Sequence, residues 1–407
     1  MLWCIVLITV ITFFPTFFND FQSGWDDQWM VTNHYTSNGL SMKNIKNILT
    51  LKYGGQYAPI NQLLYSSLYS FIKYEPFYYH FFSFLLHVIN SIFLFFNLKK
   101  IYSWYYTDLD NKKIVLFASI CTFCFSTNPL QVESVAWVSA SKVVLYTFFY
   151  LGSTWNYIIF IEKKNIIRLL ASIFLLILAL GSKEQAISFS LWILLLHWLH
   201  GDFKNKSNVL LGCIPILLIS LIFGYLYLLN ATTLNGNLLN ITKGYSFFER
   251  INIAGYALGV YIRRWFFPFD LKHIYYLPNP IPEWFLICTT SIVILVILIW
   301  NNSSRIIRFW ILFFFIHIGL MLHIVPMGRF VITADRYMYL PNIALANILF
   351  HIILYKHKMK ITRPIFRSLL ILFTIWNFIS FERCFDWKST ETIRKNSNHY
   401  FLILKDL

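Results

Sequence analysis

The chain is poor in charge, and poorest in negative charge. Only 13% of its 407 residues are Asp, Glu, Lys or Arg, and 18 acidic side chains face 34 basic ones. A soluble domain carries about a quarter charged residues, so an ordinary soluble fold is excluded. Six cysteines are scattered, with Cys121, Cys124, Cys213 and Cys288 inside apolar runs. Their spacing supports neither a disulfide framework nor a zinc site. No nucleotide-binding motif, internal repeat or low-complexity linker occurs. Residues 1–18 lack a basic start and a small-residue cleavage site, so they are expected to be a retained first span rather than a signal peptide.

What is present is apolar. Hydrophobic residues make up 57% of the chain. A bilayer core needs roughly 20 apolar residues as a helix, and runs such as 169–180, 187–199 and 287–300 are too apolar and too closely spaced for a soluble core. Lipid offers no partner to backbone N–H and C=O groups, which selects helices. The alternation of an outer-membrane barrel is missing. The formal charge of +16 falls mostly in short loops between apolar segments. That is the positive-inside distribution rather than a nucleic-acid surface, and no nucleic-acid partner is expected.

These signals predict an all-α polytopic membrane protein with about eleven transmembrane helices and outer-side loop helices. Spans are placed near 2–18, 77–98, 114–127, 143–161, 167–181, 186–200, 208–229, 284–300, 309–325, 342–355 and 365–381. The basic loops 99–113, 162–168, 201–207, 301–308 and 356–363 belong on the cytoplasmic side. Segment 251–267 is apolar but carries Arg263 and Arg264. A crossing there would turn the basic loop 356–363 outward, so it is expected to be an interfacial or re-entrant helix on the outer side. One membrane domain, 1–381, then carries a first outer loop at 19–75 and another at 230–283, followed by a short outer tail at 382–407.

Four outward segments carry side chains that could do chemistry. In Gly24-Trp25-Asp26-Asp27-Gln28-Trp29, mutual repulsion and nearby rings raise at least one carboxyl pKa, which suits a general base toward a hydroxyl. The bland alternative is a hydrated loop with a helix cap. In Gly181-Ser182-Lys183-Glu184-Gln185, a Lys and a Glu close to the membrane require pairing or a water-filled cavity; a tight hairpin at the headgroups would also serve. In Ala334-Asp335-Arg336-Tyr337, the Arg336 fork fits a phosphate, unless it only pairs with Asp335. In 128–137, Glu133 could orient a substrate or belong to a polar re-entrant turn. His80, His87 and Asn90 lie at helical spacing and are expected to bond to neighbouring helices rather than to a metal.

Taken in order, these motifs resemble the transmembrane-and-tetratricopeptide-repeat O-mannosyltransferases and their bacterial relatives, within the C-type glycosyltransferase (GT-C) superfold. The matching stretches are Trp25-Asp26-Asp27, Tyr57-Ala58-Pro59-Ile60-Asn61, Pro76 with His80, His87 and Asn90, Asn128-Pro129-Leu130 through Trp137, Lys183-Glu184-Gln185, and Asp335-Arg336-Tyr337-Met338-Tyr339-Leu340-Pro341. Arg383 and Asp386-Trp387-Lys388-Ser389 resemble the end of that membrane domain. The repeat domain is absent before Leu407. Ala58, Lys142 and Asn128 depart from the pattern, in which Arg, an acidic or polar residue, and His respectively are more usual.

The resemblance implies a GT-C-like fold and an inverting transfer of a sugar, with mannose the family's sugar, from a polyprenyl-phosphate donor to the hydroxyl of a protein or glycan acceptor. It casts Asp26 as the base and Asp27 as the second catalytic acid, which would orient the acceptor or hold a water. Arg336 and Lys183 would hold the donor phosphate. Glu133, Glu184, Gln185, Asp335, Tyr57 and His80 would support them. No ligand cluster asks for a metal, and a divalent ion is left open. The Ile, Asn, Lys and Phe bias points to an AT-rich bacterial genome, hence a multi-pass protein of the cytoplasmic membrane with its site facing the periplasm. A transporter or flippase of a lipid-linked sugar is the main rival, but it should show inverted repeats or interrupted paired helices at mid-membrane, and neither is visible. A non-catalytic relative is the second rival, and the intact acidic pair speaks against it.

Overall fold

A computed structural model gives the fold and describes residues 1–50, 57–204, 206–233, 244–278, 280–325, 331–356 and 361–401. Parts of the expected outer loops (51–56, 234–243, 279 and 326–330), of the expected basic loops (205 and 357–360) and of the tail (402–407) lie outside the described residues.

Nearly every described element is a helix. The two short strands Tyr275–Tyr276 and Val331–Thr333 pair antiparallel. Among the described residues, five helices are long and apolar enough to cross a bilayer: Pro76–Tyr105, Val138–Lys163, Lys206–Leu229, Trp284–Asn301 and Arg363–Asp386. Asn111–Thr127 and Pro129–Ala136 add a sixth if the pair, bent by 52°, counts as one span. The apolar helices Leu2–Phe18, Ile166–Leu180 and Pro341–Ile353 are shorter.

Two further expected spans also take a shorter form. Segment 186–200 is a 3-10 turn, Glu184–Ser188, followed by the 12-residue helix Phe189–His200. Segment 309–325 contains the end of the 14-residue helix Arg305–Ile318, which runs into a tight turn. Twelve residues reach about 18 Å, short of a hydrocarbon core of about 30 Å. Window composition records apolarity but not where the helix stops. Gly201, at φ 83°, ends one of these.

Burial sorts the long helices. Pro76–Tyr105 and Val138–Lys163 have 61% and 72% of their apolar windows buried and form the centre. Lys206–Leu229, Trp284–Asn301 and Arg363–Asp386 have 22%, 11% and 17% buried. Their exposed side chains include Leu217, Leu221, Ile287, Ile294, Leu298 and Leu370. Apolar faces this wide are stable only against an apolar solvent, and the chain therefore fits a multi-pass membrane protein.

The two central helices also define the ends of the bundle. At their carboxyl ends Lys100 meets Glu162 at 2.8 Å, Lys164 meets Asp202 at 2.5 Å, and Arg305 donates to the Trp198 carbonyl. Four of the expected basic loops therefore gather at one end. Their amino ends lie among residues 19–37, 59–72, 128–141 and 331–342, and Ile60 N–H donates to the Gly181 carbonyl at 3.0 Å to bring in 181–185, so the four chemistry-bearing segments gather at the other.

Helix Phe247–Phe266 is not among the helices apolar enough to cross. A capping box of Ser246 and Glu249 starts it, and its last turns bind the motif end. Tyr261 accepts from the Ala334 N–H at 3.1 Å, Arg264 donates to Thr333 at 3.1 Å, and Trp265 donates to Asn342 at 2.5 Å. Helix Arg363–Asp386 runs through the expected boundary at residue 381. The residues after it pack on the first loop, with Asp20 N–H donating to the Lys388 carbonyl at 2.8 Å and Gln22 to the Trp387 carbonyl at 2.7 Å. Residues 386–390 of the expected tail thus pack on the first loop, and Trp387 is completely buried.

Phe247–Phe266 packs on Trp284–Asn301 through small residues, as helices in lipid must approach closely to gain dispersion energy. A Cβ on Gly255 would lie 2.6 Å from the Thr289 Cα. Gly255→Ala is expected to destabilise the protein by about 1–3 kcal/mol. Gly259→Ala, whose Cβ meets nothing within 4 Å, should match or exceed the parent. Melting in detergent reads both, and equal melting temperatures for the two variants would refute this packing.

Candidate functional site

The site is built on the bent segment 128–141. Asn128 ends the helix Asn111–Thr127, and its Oδ1 accepts from Leu130 N at 3.0 Å. Pro129 sits where its missing N–H costs nothing. Two 3-10 turns and the short helix Val132–Ala136 follow, buried throughout. This stretch, expected on the outer side, is buried in the end of the bundle and forms a platform on which the other motifs settle.

Asp27 ties the first loop to that platform. Its Oδ1 accepts from Ser139 N at 2.9 Å and from the Ser139 hydroxyl, and its Oδ2 accepts from Gln22 N at 2.8 Å. The side chain is completely buried. Both oxygens are therefore spent on the backbone, and Asp27 has no face for an acceptor. Expected as a catalytic partner, Asp27 is seen here anchoring the first loop to the platform. Helix Pro59–Ile72 locks the same platform, with Tyr65 OH donating to the Val138 carbonyl at 2.7 Å and meeting Ser141 Oγ at 2.8 Å. Asn33 caps His34–Ser37 and donates to Gln62 at 3.1 Å, joining the loop to that helix.

Asp26, one residue earlier, is only half-buried. It stands at the start of the short helix Asp27–Met30 and accepts from the Trp29 indole at 3.1 Å. It lies within electrostatic reach of Arg336 and of Lys142. The doublet and the distant guanidinium thus occupy one end of the bundle, brought together through Asp27, Ser139 and Trp137.

Arg336 does not pair with Asp335. Its backbone N–H and its guanidinium both donate to Glu133, the first at 2.9 Å. The guanidinium lies 5.2 Å from the Trp137 ring and 5.0 Å from the Tyr337 ring. Burial opposes its charge, but the Glu133 carboxylate outweighs that and raises its pKa further. A guanidinium has five N–H donors, so Glu133 orients Arg336 and leaves donors for a second oxyanion. The side chain is 18% exposed.

Asp335 takes Arg383 instead, at 2.5 Å, with Tyr275 OH donating to the same oxygen at 3.3 Å. Burial pushes this carboxyl up to about 6, with the Glu133 charge adding to the rise and Arg383 and Arg264 opposing it. Ordinary sequence spacing could not separate the two pairings, since Asp335 and Arg336 are neighbours whose side chains diverge.

Lys183 is 5% exposed and meets Glu184 at 3.8 Å. Lys142 senses Lys183, Glu184, Arg336 and Asp26, so it sits amid the charged groups that the sequence ranked above it. Gln185 is buried, and Ser188 donates to its carbonyl at 2.8 Å. Ile60 N–H donates to the Gly181 carbonyl at 3.0 Å, which joins the Tyr57–Asn61 stretch to this turn. Tyr57 itself donates to the Leu49 carbonyl at 3.1 Å. His80 is buried beside the Asp20 backbone. His87 meets Tyr339 OH at 2.6 Å and the Ser126 carbonyl at 3.0 Å, and Asn90 donates to the Val144 carbonyl at 2.9 Å. Those three residues support the bundle rather than the charged cluster. Among the described residues no three His, Cys, Asp or Glu side chains converge as metal ligands.

The fold and this cluster fit a helical multi-pass membrane protein with its most buried ion pairs at one end. No protein-family model matches the chain, and no curated protein matches it.

Asp27 also sets a pH dependence. Burial pushes its carboxyl from 3.8 up to about 6, against the hydrogen bonds of Ser139 and Gln22. The folded chain therefore holds this proton more tightly than the unfolded chain. Its contribution to stability is full below 3.8 and is lost as pH rises through 6. The melting-temperature advantage of the parent over Asp27→Asn should shrink between pH 4 and pH 7 in detergent. A gap that widens over that range would show the carboxylate, not the acid, to be the favoured form.

Proposed function

We propose that the chain is a membrane glycosyltransferase that moves a sugar, with mannose the first candidate, from a polyprenyl-phosphate donor to an acceptor hydroxyl. The observation that carries this reading is the half-buried Asp26, held by an anchored loop within electrostatic reach of Arg336 and Lys142. The reading includes a GT-C-like bundle of about eleven crossings, with short apolar helices counted among them, in the cytoplasmic membrane of a bacterium. The motif end faces the periplasm, as the basic loops at the opposite end favour.

The chemistry follows from charge placement. The acceptor oxygen attacks the anomeric carbon as the bond from that carbon to the phosphate oxygen breaks. Asp26 takes the hydroxyl proton. The lipid phosphate leaves with the bonding pair, and fixed cations at Arg336 and Lys183 stabilise the negative charge that grows on it. Attack opposite the leaving group inverts the anomeric centre. Asp27 contributes through Ser139, by keeping the Asp26 loop in register with the platform, a form of orientation that can account for several kcal/mol of barrier. Glu133 does the same for Arg336.

Purified protein in detergent, supplied with a radiolabelled polyprenyl-phosphate sugar and a pool of hydroxyl acceptors, tests the reading. Asp26→Asn should lower turnover by about 10²–10⁴-fold with donor affinity kept. Arg336→Ala should weaken donor binding. An Asp26→Asn variant as active as the parent would remove the base, and a parent that neither binds nor turns over lipid-phosphate sugars would remove the function.

A further inference from the structure

The end of the bundle opposite the motifs carries positive charge that its own acids do not neutralise. Loops 99–113, 162–168, 201–207 and 301–308 together hold eleven basic and four acidic side chains. Lys100 and Lys164 meet carboxylates at Glu162 and Asp202. Segment 301–308 holds Arg305 and Arg308 and no acid. Among the described residues neither arginine enters an ion pair.

Both arginines are nonetheless held in place. Arg305 is exposed, donates to the Trp198 carbonyl and lies 5.2 Å from the Trp198 ring. Arg308 is half-buried, donates through Nε to the Trp300 carbonyl at 3.0 Å and lies 5.6 Å from the Trp300 ring. They stand three positions apart in the first turns of helix Arg305–Ile318, a spacing that makes side chains neighbours on one face. A guanidinium has five N–H donors and the carbonyl takes one, so each arginine keeps donors for an oxyanion from outside. The ring and the carbonyl fix each arm in advance, which lowers the ordering cost of binding.

The flanking helices indicate which oxyanion arrives. Trp198 lies in the last turn of helix Phe189–His200 and Trp300 in that of helix Trp284–Asn301. Within two turns of those rings the first helix exposes Leu191 and Leu194, and the second exposes Leu295 and Leu298. Indoles at the border of an apolar face mark the headgroup level of a bilayer. Basic side chains at that level meet lipid phosphates. A zwitterionic headgroup brings its own cation, whereas an anionic one leaves its phosphate charge to the arginines.

We propose that Arg305 and Arg308, set by Trp198 and Trp300, form a docking patch for anionic phospholipids of the surrounding leaflet. The patch lies at the end of the bundle away from Asp26 and Arg336. It is separate from the donor site and stands whether or not the chain transfers sugar.

The test is stabilisation of the purified full chain in detergent, titrated separately with short-chain phosphatidylglycerol, short-chain phosphatidylcholine and inorganic phosphate. In the parent, phosphatidylglycerol should half-saturate at a concentration about tenfold below phosphatidylcholine, and inorganic phosphate should give no stabilisation over the same range. The double variant Arg305→Gln/Arg308→Gln should lose most of that preference. Lys112→Gln/Lys113→Gln removes the same charge from exposed positions of another loop at this end and should keep it. Arg305→Lys/Arg308→Lys, which retains charge but not the planar fork, should fall between, and it serves in place of the Gln pair if that pair does not fold. Equal binding of the two lipids by the parent, or an undiminished preference in the folded arginine variants, overturns the patch. An equal loss in the lysine control reduces the effect to the general charge of this end and overturns it too. Inorganic phosphate binding as tightly as phosphatidylglycerol overturns the lipid as the source.

Discussion

The contact between Asp27 and Ser139 organises one end of this protein. It joins a loop near the amino terminus to the bent segment between two helices in the middle of the chain, and it does so with a carboxylate that water cannot reach. A buried carboxylate is costly unless every lone pair is engaged. Its three donors offset part of that cost and thereby fix a geometry that a solvated aspartate could never hold. Asp26 inherits that geometry as the next residue along. Trp137, two residues before Ser139, carries Arg336 on its ring. Asp26 and the Arg336 guanidinium are consequently placed by one anchored segment rather than by two independent loops.

The same end shows how a membrane protein handles charge. Glu133 with Arg336, Asp335 with Arg383, and Lys183 with Glu184 are pairs drawn from different segments or from a turn between helices. Each lies at the end of the bundle and none at its middle. The middle is held by neutral polar contacts, such as His87 with Tyr339 and Asn90 with the Val144 carbonyl. At the opposite end, Lys100 with Glu162 and Lys164 with Asp202 are more exposed and more easily screened. The burial of ion pairs is therefore polarised along the bundle. That asymmetry, more than any single residue, marks the motif end as the place where charge is kept out of water.

Two of the pairings could not be anticipated residue by residue. Arg336 beside Asp335 in sequence reads as a local ion pair, yet the 3-10 turn Asp335–Met338 sends the two side chains to different elements. Lys142 reads as an exception to a pattern, yet it lies among Lys183, Glu184, Arg336 and Asp26. Ser139 carries no signal at all in a single sequence, because a serine that receives a buried carboxylate looks like any other serine. Arg264 was visible as a charge in an apolar segment and Arg383 as part of a stretch resembling the end of the membrane domain, with nothing to connect the two. Their convergence on Asp335 joins residues from three separated regions of the chain.

The sequence by itself determined the class. Lipid-length apolar runs and scarce charge require helices, since no other local structure satisfies the backbone away from water, and the basic loops place one end of the bundle opposite the other. It also singled out Asp26, Glu133, Lys183 and Arg336 as polar groups close to the membrane, where charge needs pairing or water. Tertiary structure alone decided which runs are long helices and which are short or bent ones, and which acid meets which base. Helix length depends on where caps and tight turns find partners, and charge pairing depends on distances between segments more than a hundred residues apart. Neither is encoded in any local window, because both are set by the burial that packing creates.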